Sequence, residues 1–171
     1  MKQYLLFLLI AFACPLRQGN AQTTEAISFE QAYTYWQAGH GDTLLLVNFW
    51  ATWCKPCVAE LPCFEKISQE VFSRPVKILL ISLDAPKDIH TRIKPLLKKK
   101  NIHLDCWVLE DTDPNKWINR VNPAWSGAIP ATLIVSSRVS GSLSVPNQLG
   151  FEEKEFSCEA LHELVQHWIV K

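Results

Sequence analysis

An α/β fold with a central sheet covered on both faces is predicted by three features of the 171-residue chain. Two continuous apolar runs, Thr43 to Phe49 and Val76 to Leu83, are too uniformly apolar for half-exposed strands and read as buried central ones. A helical composition lies between them, so the pair forms a parallel βαβ unit, right-handed by default. Further strand and helix patterns alternate to the C-terminus, ending in a helix with Leu161, Leu164, Val165, Trp168 and Ile169 on one face.

The first 21 residues do not belong to this pattern. Lys2 precedes an apolar run from Tyr4 through Ala13, and Arg17 and Gly19-Asn20-Ala21 follow. A charged start, an apolar centre and a small-residue site describe an export signal cleaved after Ala21, leaving residues 22–171 as one domain outside the cytoplasm. The apolar run is shorter than the roughly twenty residues a membrane span needs. The alternatives are tethering by the uncleaved signal, which so short a run disfavours, and lipid attachment at Cys14, which the bulk of Phe12 disfavours.

Within the domain, Ser28-Phe29-Glu30-Gln31 has the capping-box form and opens a short N-terminal helix ending near Gly39. The first buried strand is followed by a helix from Pro56 to Phe72, bent at Pro62 where a backbone N–H is missing. After the second buried strand, Asp88 to Lys99 forms a helix kinked near Pro95, and Leu104 to Leu109 a third strand. Asp113 caps a short helix through Val121, with Pro114 at its first position. Pro130 opens a strand over Ala131 to Val135. A polar island from Ser136 to Pro146 precedes a weak edge strand, Ser144 to Phe151, and Ser157 caps the final helix.

Seventeen basic and seventeen acidic residues balance, which argues against a nucleic-acid partner. His40, His90, His103, His162 and His167 form no metal-like cluster and read as surface residues.

The chemistry is concentrated at Trp53-Cys54-Lys55-Pro56-Cys57, directly after the first buried strand. A strand that turns and reopens as a helix at Cys54 places that sulfur over unpaired helix N–H groups, which favours thiolate. Lys55 adds positive charge, and Pro56 suits a first helical turn because its missing N–H loses nothing there. A zinc site would need a second ligand pair, and none is present in the sequence. The pattern therefore predicts thiol–disulfide exchange. Without Cys14, five cysteines remain, and pairing Cys54 with Cys57 leaves Cys63, Cys106 and Cys158, of which at least one is free or bonds another molecule. Cys63 reads as a small packed hydrophobe or an exposed bystander, with a bridge to Cys106 or Cys158 left open, and the chain does not read as a disulfide-stapled scaffold.

The segment from Asn48 through Pro62, with Cys54-Lys55-Pro56-Cys57 at its centre, resembles the active-site segment of the TlpA/ResA-like thiol:disulfide oxidoreductases. Ile129-Pro130-Ala131-Thr132 resembles the cis-proline segment of the same family. The resemblance implies a thioredoxin-like fold over roughly Ser28 to Lys171, with a mixed central sheet. It implies Cys54 as an exposed attacking nucleophile and Cys57 as the shielded resolving thiol. By the same resemblance Ile129 and Pro130 line the substrate groove, Trp125-Ser126-Gly127 shape it, and Trp53 is a rim contact. Thioredoxins proper carry an aspartate where this chain has Asn48, an amide that cannot titrate. Glu60, one helical turn after Cys57, is the carboxylate that replaces it by the family pattern. Its charge opposes thiolate, whereas Lys55 and the helix N-terminus favour it, so the direction of the reaction is left to the family: reduction of disulfides in exported proteins. No cofactor is required. The electrons come from a separate membrane thiol donor, and a monomer is expected. A peroxidase reading is disfavoured, because a peroxidatic cysteine of that superfamily lacks a resolving partner two residues on. A non-catalytic binding module, a chaperone or a soft-metal carrier, is the alternative of a different class.

Overall fold

The computed structural model describes residues 22–38, 40–136, 139–140, 143–144 and 148–170. The export signal, Ala21 and Cys14 lie outside them, as does the expected helix end at Gly39. A six-stranded mixed sheet runs in the order β1 (Thr24–Ile27), β4 (Asp105–Leu109), β3 (Val76–Ser82), β2 (Leu44–Trp50), β5 (Ala131–Ser136), β8 (Gln148–Glu152). β1 to β4 are mutually parallel, β5 runs antiparallel to β2, and β8 runs antiparallel to β5. Two short strands, β6 (Val139–Ser140) and β7 (Leu143–Ser144), pair as a separate hairpin inside the expected polar island. This is a thioredoxin-like α/β fold.

Every residue of β2 is buried, as its unbroken apolar run requires of a central strand. The strand's two-residue period sorts its side chains between two cores. Leu44, Leu46 and Trp50 face α2 (Lys55–Gln69) and α5 (Cys158–Val170); Leu45, Val47 and Phe49 face α1 (Phe29–Gln37) and an aromatic layer of Trp36, Trp117 and Trp125. Asn48 shares the parity of Leu46 and Trp50, so it points into the α2 layer.

β1 was not expected. Four residues of mixed polarity carry little strand signal, and their order comes from non-local pairing with β4, where Asp105 Oδ1 accepts from the Thr23 N–H (3.0 Å) and hydroxyl (2.9 Å). α1 begins as predicted, with the Ser28 and Gln31 side chains capping each other's backbone. α2 ends at Gln69, three residues early, where Glu70 turns extended. The Asp88–Lys99 helix divides into a 3₁₀ turn (Pro86–Asp88), a π turn (Ile89–Ile93) and α3 (Lys94–Lys99). Pro95 supplies no N–H to the preceding turn and its ring crowds a carbonyl, which widens the helix there. The Asp113 helix likewise splits at Trp117 into a 3₁₀ turn (Pro114–Lys116) and α4 (Ile118–Val121). The edge strand starts at Gln148, later than the expected Ser144, set by its register opposite Ser136.

The cysteine reading also needs correction. Cys63 is neither a packed hydrophobe nor a bystander: it bonds Cys158 and ties α2 to the start of α5 across a sequence separation of 95. α2 and α5 pack side by side on one sheet face, and that adjacency is invisible in the sequence. Cys106, fully buried in β4, is the free cysteine among the described residues.

Candidate active site

β2 delivers the chain to the C-terminal edge of the parallel strands, where open α/β sheets build their sites. Ala51 to Trp53 make the turn, and Cys54 is the N-cap of α2. Cys54 and Cys57 form a disulfide, with Cα atoms 5.3 Å apart, and the Cys57 N–H points at Cys54 Sγ (3.3 Å). The sulfur thus sits over the free donors of the helix N-terminus, where a thiolate is favoured once the bond is reduced. Lys55 and Pro56 are exposed on the first turn.

The turn is held from below by Asp84, which follows β3 and is 4% exposed. Its carboxylate accepts from the Thr52 N–H (2.8 Å), the Thr52 hydroxyl (2.6 Å) and the Ser82 hydroxyl (2.9 Å). Neither Asp84 nor Thr52 was singled out from sequence. The available signal was position: an acidic residue just past the C-terminal end of a parallel strand beside β2.

Cys57 is fully buried, and Cys54, expected to be exposed, is only 6% exposed. The Ile129–Pro130 segment covers it: the Ile129 carbonyl oxygen lies 3.7 Å from Cys54 Sγ, and the Ile129–Pro130 peptide is cis. Pro130 is buried and Ile129 half-buried. Trp125, buried in the aromatic layer, fixes this loop by donating its indole N–H to the Ala128 carbonyl (2.8 Å). Trp53, at 60% exposure, stands on the rim beside a groove of about 460 Å³ also lined by Leu83, Asp111, Trp117, Ser126 and Gly127.

Glu60 shares the inward stripe of α2 with Cys57, Leu61, Phe64 and Ile67, and it is 1% exposed. Asn48 Nδ2 donates to Oε1 (2.8 Å) and the Phe156 N–H to Oε2 (2.8 Å). Burial pushes the Glu60 carboxyl up to about 7, against the opposing pull of these two hydrogen bonds and with a further push from the Glu155 charge. Such a group exchanges a proton near neutrality. Asn48 also donates to Thr132 Oγ1 (3.2 Å), its neighbour across the β2–β5 ladder, while its buried Oδ1 has no hydrogen-bond partner among the described residues. The Phe156 N–H is a backbone group that no side-chain motif announces.

Among the described residues no group of three or more His, Cys, Asp or Glu is arranged to hold a metal ion, and no helix is long and apolar enough to cross a membrane. His103 pairs with Glu65 (3.1 Å) and His162 with Glu70 (3.3 Å), both away from the dithiol.

Comparison with known proteins agrees with this geometry. Over 40 residues the chain is 45% identical to the thiol-disulfide oxidoreductase ResA of Oceanobacillus iheyensis, covering 23% of this chain and 21% of that protein. Over 26 residues it is 62% identical to the thioredoxin-like protein YneN of Bacillus subtilis, 15% of each. The chain thus spans only about a fifth or less of these curated relatives. The crystal structure of a thioredoxin-related protein from Neisseria meningitidis serogroup B superposes with a TM-score of 0.61 at 21% identity, covering 79% of this chain and 90% of that one. A thioredoxin family protein from Chlorobium tepidum, titled a thiol:disulfide interchange protein, gives a TM-score of 0.55 at 21% identity over 75% and 81%. The AhpC/TSA family profile matches residues 20–140, most of the chain, so the chain belongs to that family, as a TlpA/ResA-like protein of thioredoxin fold.

Proposed function

We propose that this chain is an extracytoplasmic thiol:disulfide oxidoreductase that reduces or exchanges disulfides in exported proteins. The observation that carries the reading is a dithiol closed as a disulfide at a helix N-terminus, one turn from a buried carboxyl poised near pH 7. In the reduced chain the Cys54 thiolate attacks a substrate disulfide sulfur and forms a mixed disulfide, expelling the first substrate thiolate. Glu60 takes the proton of Cys57, whose thiolate attacks Cys54 Sγ. The second substrate thiolate leaves; with one proton returned through Glu60 and one taken from solvent, both substrate thiolates become thiols, so the substrate gains two electrons and two protons and the chain returns to the disulfide form. Ile129 and Pro130 bound the approach to Cys54, Trp53 and the adjacent groove contact the substrate chain, and Lys55 and Pro56 tune the couple.

No cofactor is needed, since the cysteines carry the electrons. A separate membrane thiol donor returns the protein to the dithiol, and it acts as an exported monomer, periplasmic or otherwise extracytoplasmic. Equilibrating the chain against defined thiol buffers, with Trp fluorescence as the signal, tests the direction. A potential near or below about −230 mV supports a reductase, and one near about −120 mV an oxidant. Cys54→Ser should abolish exchange and Cys57→Ser should accumulate mixed disulfides with substrate. Retained turnover in Cys54→Ser, or copurifying metal with no two-electron transition, replaces this reading with a binding module.

A further inference from the structure

The segment from Glu153 to Cys158, joining β8 to α5, touches the site at three points. At its start the Glu153 carboxylate accepts from the Ser126 hydroxyl and from the N–H groups of Ser126 (3.1 Å) and Ala128 (3.2 Å), so it grips the loop that runs into Ile129–Pro130. Those donors, the Ser126 hydroxyl foremost, hold its carboxyl below the usual carboxylate range. In its middle, the Phe156 ring is 3% exposed in the α2 core and the Phe156 N–H donates to Glu60. At its end, Cys158 is bonded to Cys63, with Cα atoms 4.7 Å apart.

The spacing on the two sides of this junction matters. Glu60 and Cys63 are one turn apart on α2, and Phe156 and Cys158 are two residues apart on the strap. The hydrogen bond to the carboxyl and the disulfide are therefore neighbouring rungs between the same two elements. Loss of the covalent rung leaves the other dependent on a single N–H and on the packing of Phe156.

The proposed exchange cycle makes no use of this second disulfide. It is also placed where a reductant can reach it: Cys63 is 8% exposed, but Cys158 is exposed. Cys158 is the first residue of the 13-residue α5, whose Ala160 N–H is taken by the Ser157 hydroxyl (3.1 Å). A Cys158 thiolate there is favoured by the helix N-terminus, and stabilising the reduced form makes a disulfide easier to reduce.

We propose that Cys63–Cys158 is a second redox site that governs the first: oxidised, it keeps residues 153–158 seated on Glu60 and on the Ile129–Pro130 loop; reduced, it releases them and slows exchange at Cys54–Cys57. The reductant is a dithiol. One of its thiolates attacks the Cys158 sulfur and expels Cys63 as thiolate; its second thiolate attacks the resulting mixed disulfide and expels Cys158. The reductant is oxidised to its disulfide, and the chain takes up two electrons and, on protonation, two protons. The groups acting on Glu60 are Asn48 from β2 and the Phe156 N–H and Glu155 from the strap, with Cys57 one turn earlier on the same stripe of α2. Lifting the strap removes one donor, but it admits water to a carboxyl whose main perturbation is burial, so its titration moves towards the ordinary carboxylate range.

This inference rests on the proposed exchange at Cys54–Cys57, and two measurements on the full chain test it. First, the folded protein is equilibrated with graded dithiothreitol buffers, alkylated and analysed by mass spectrometry, with near-ultraviolet circular dichroism on the same samples. Cys63 and Cys158 should become labelled while the spectrum stays native. Labelling only on unfolding marks a structural staple and overturns the proposal. Second, the oxidised chain and the Cys63→Ser/Cys158→Ser double variant are mixed with a model dithiol in stopped flow between pH 5 and pH 9. The variant should react roughly tenfold more slowly or less, with its pH midpoint moved to the acid side. An unchanged rate and midpoint overturn the proposal. If the double variant does not fold, the labelling experiment on the wild-type chain decides alone. A wild-type chain that exchanges nothing sinks the proposed function and this inference together; wild-type exchange with an unresponsive variant sinks only the inference.

Discussion

Replacing Glu60 by Gln removes one titratable group at nearly constant volume, and the structure sets both the sign and the size of the result. Glu60 is held at about 7, against 4.5 for the unperturbed side chain, chiefly by burial. That difference corresponds to about 3 kcal/mol against ionisation in the folded state. Here the folded value is raised, so the sign is the reverse of the usual salt-bridged carboxylate. Below pH 4.5 the group is protonated in both folded and unfolded chains and contributes nothing. Above about 7 it is ionised in both, and the folded state bears the full penalty. Wild-type stability from this group therefore falls as pH rises between those values, by roughly 2–3 kcal/mol from pH 5 to pH 8.

The variant has no such term. Its amide also finds partners: Gln Oε1 accepts from the Phe156 N–H, and Asn48, rotated about its terminal bond, offers its unpartnered Oδ1 to the new NH₂. Urea unfolding of both oxidised chains at the two pH values measures the difference. The stability of the variant relative to wild type should rise by roughly 2–3 kcal/mol between pH 5 and pH 8, or roughly 5–10 °C in melting temperature. In the same samples, the wild-type pH–rate profile should show a midpoint near 7 that the variant lacks. A stability difference constant to within about 0.5 kcal/mol across that range would refute the argument, because the carboxyl would then be titrating as an exposed one.

Two further outcomes follow from other buried groups. Asp84→Ala leaves the half-buried Thr52 N–H and two hydroxyls without their acceptor and should cost about 2 kcal/mol in urea unfolding, with faster proteolysis at the Thr52–Trp53 turn. A loss under about 1 kcal/mol would show that the turn does not depend on it. Cys106 is fully buried in β4, and burial pushes its thiol up to about 12, so iodoacetamide at pH 8 should label it only as the chain unfolds. Rapid labelling of Cys106 in the native protein would contradict the packing of β4 against β1 and β3.

Much of the site was legible because local pattern and local chemistry coincide there. The apolar run from Leu44 placed Cys54 at a strand-to-helix junction, and the junction itself makes the sulfur a helix cap. The inward stripe of α2, read with its 3.6-residue period, carries Cys57 and Glu60 to the same side. Boundaries failed where proline or tertiary register decided them. Pro95 and Trp117 each divided an expected helix, and β8 began where Ser136 offered it a partner.

By itself the sequence determined the layered α/β architecture and the place of the Cys54–Cys57 pair at a strand-to-helix junction, because each is encoded by neighbours within a few residues; Glu60 was pointed to by the family resemblance. Only the tertiary structure decided the remainder. Whether Glu60 is an ordinary solvated carboxylate or a buried acid near pH 7 depends on Asn48 and on a backbone N–H 96 residues distant. Whether Cys63 is a bystander or half of a disulfide depends on α5 folding back against α2. Proton affinity and cysteine pairing are set by what surrounds a group in space, and those surroundings are assembled from segments that the sequence keeps far apart.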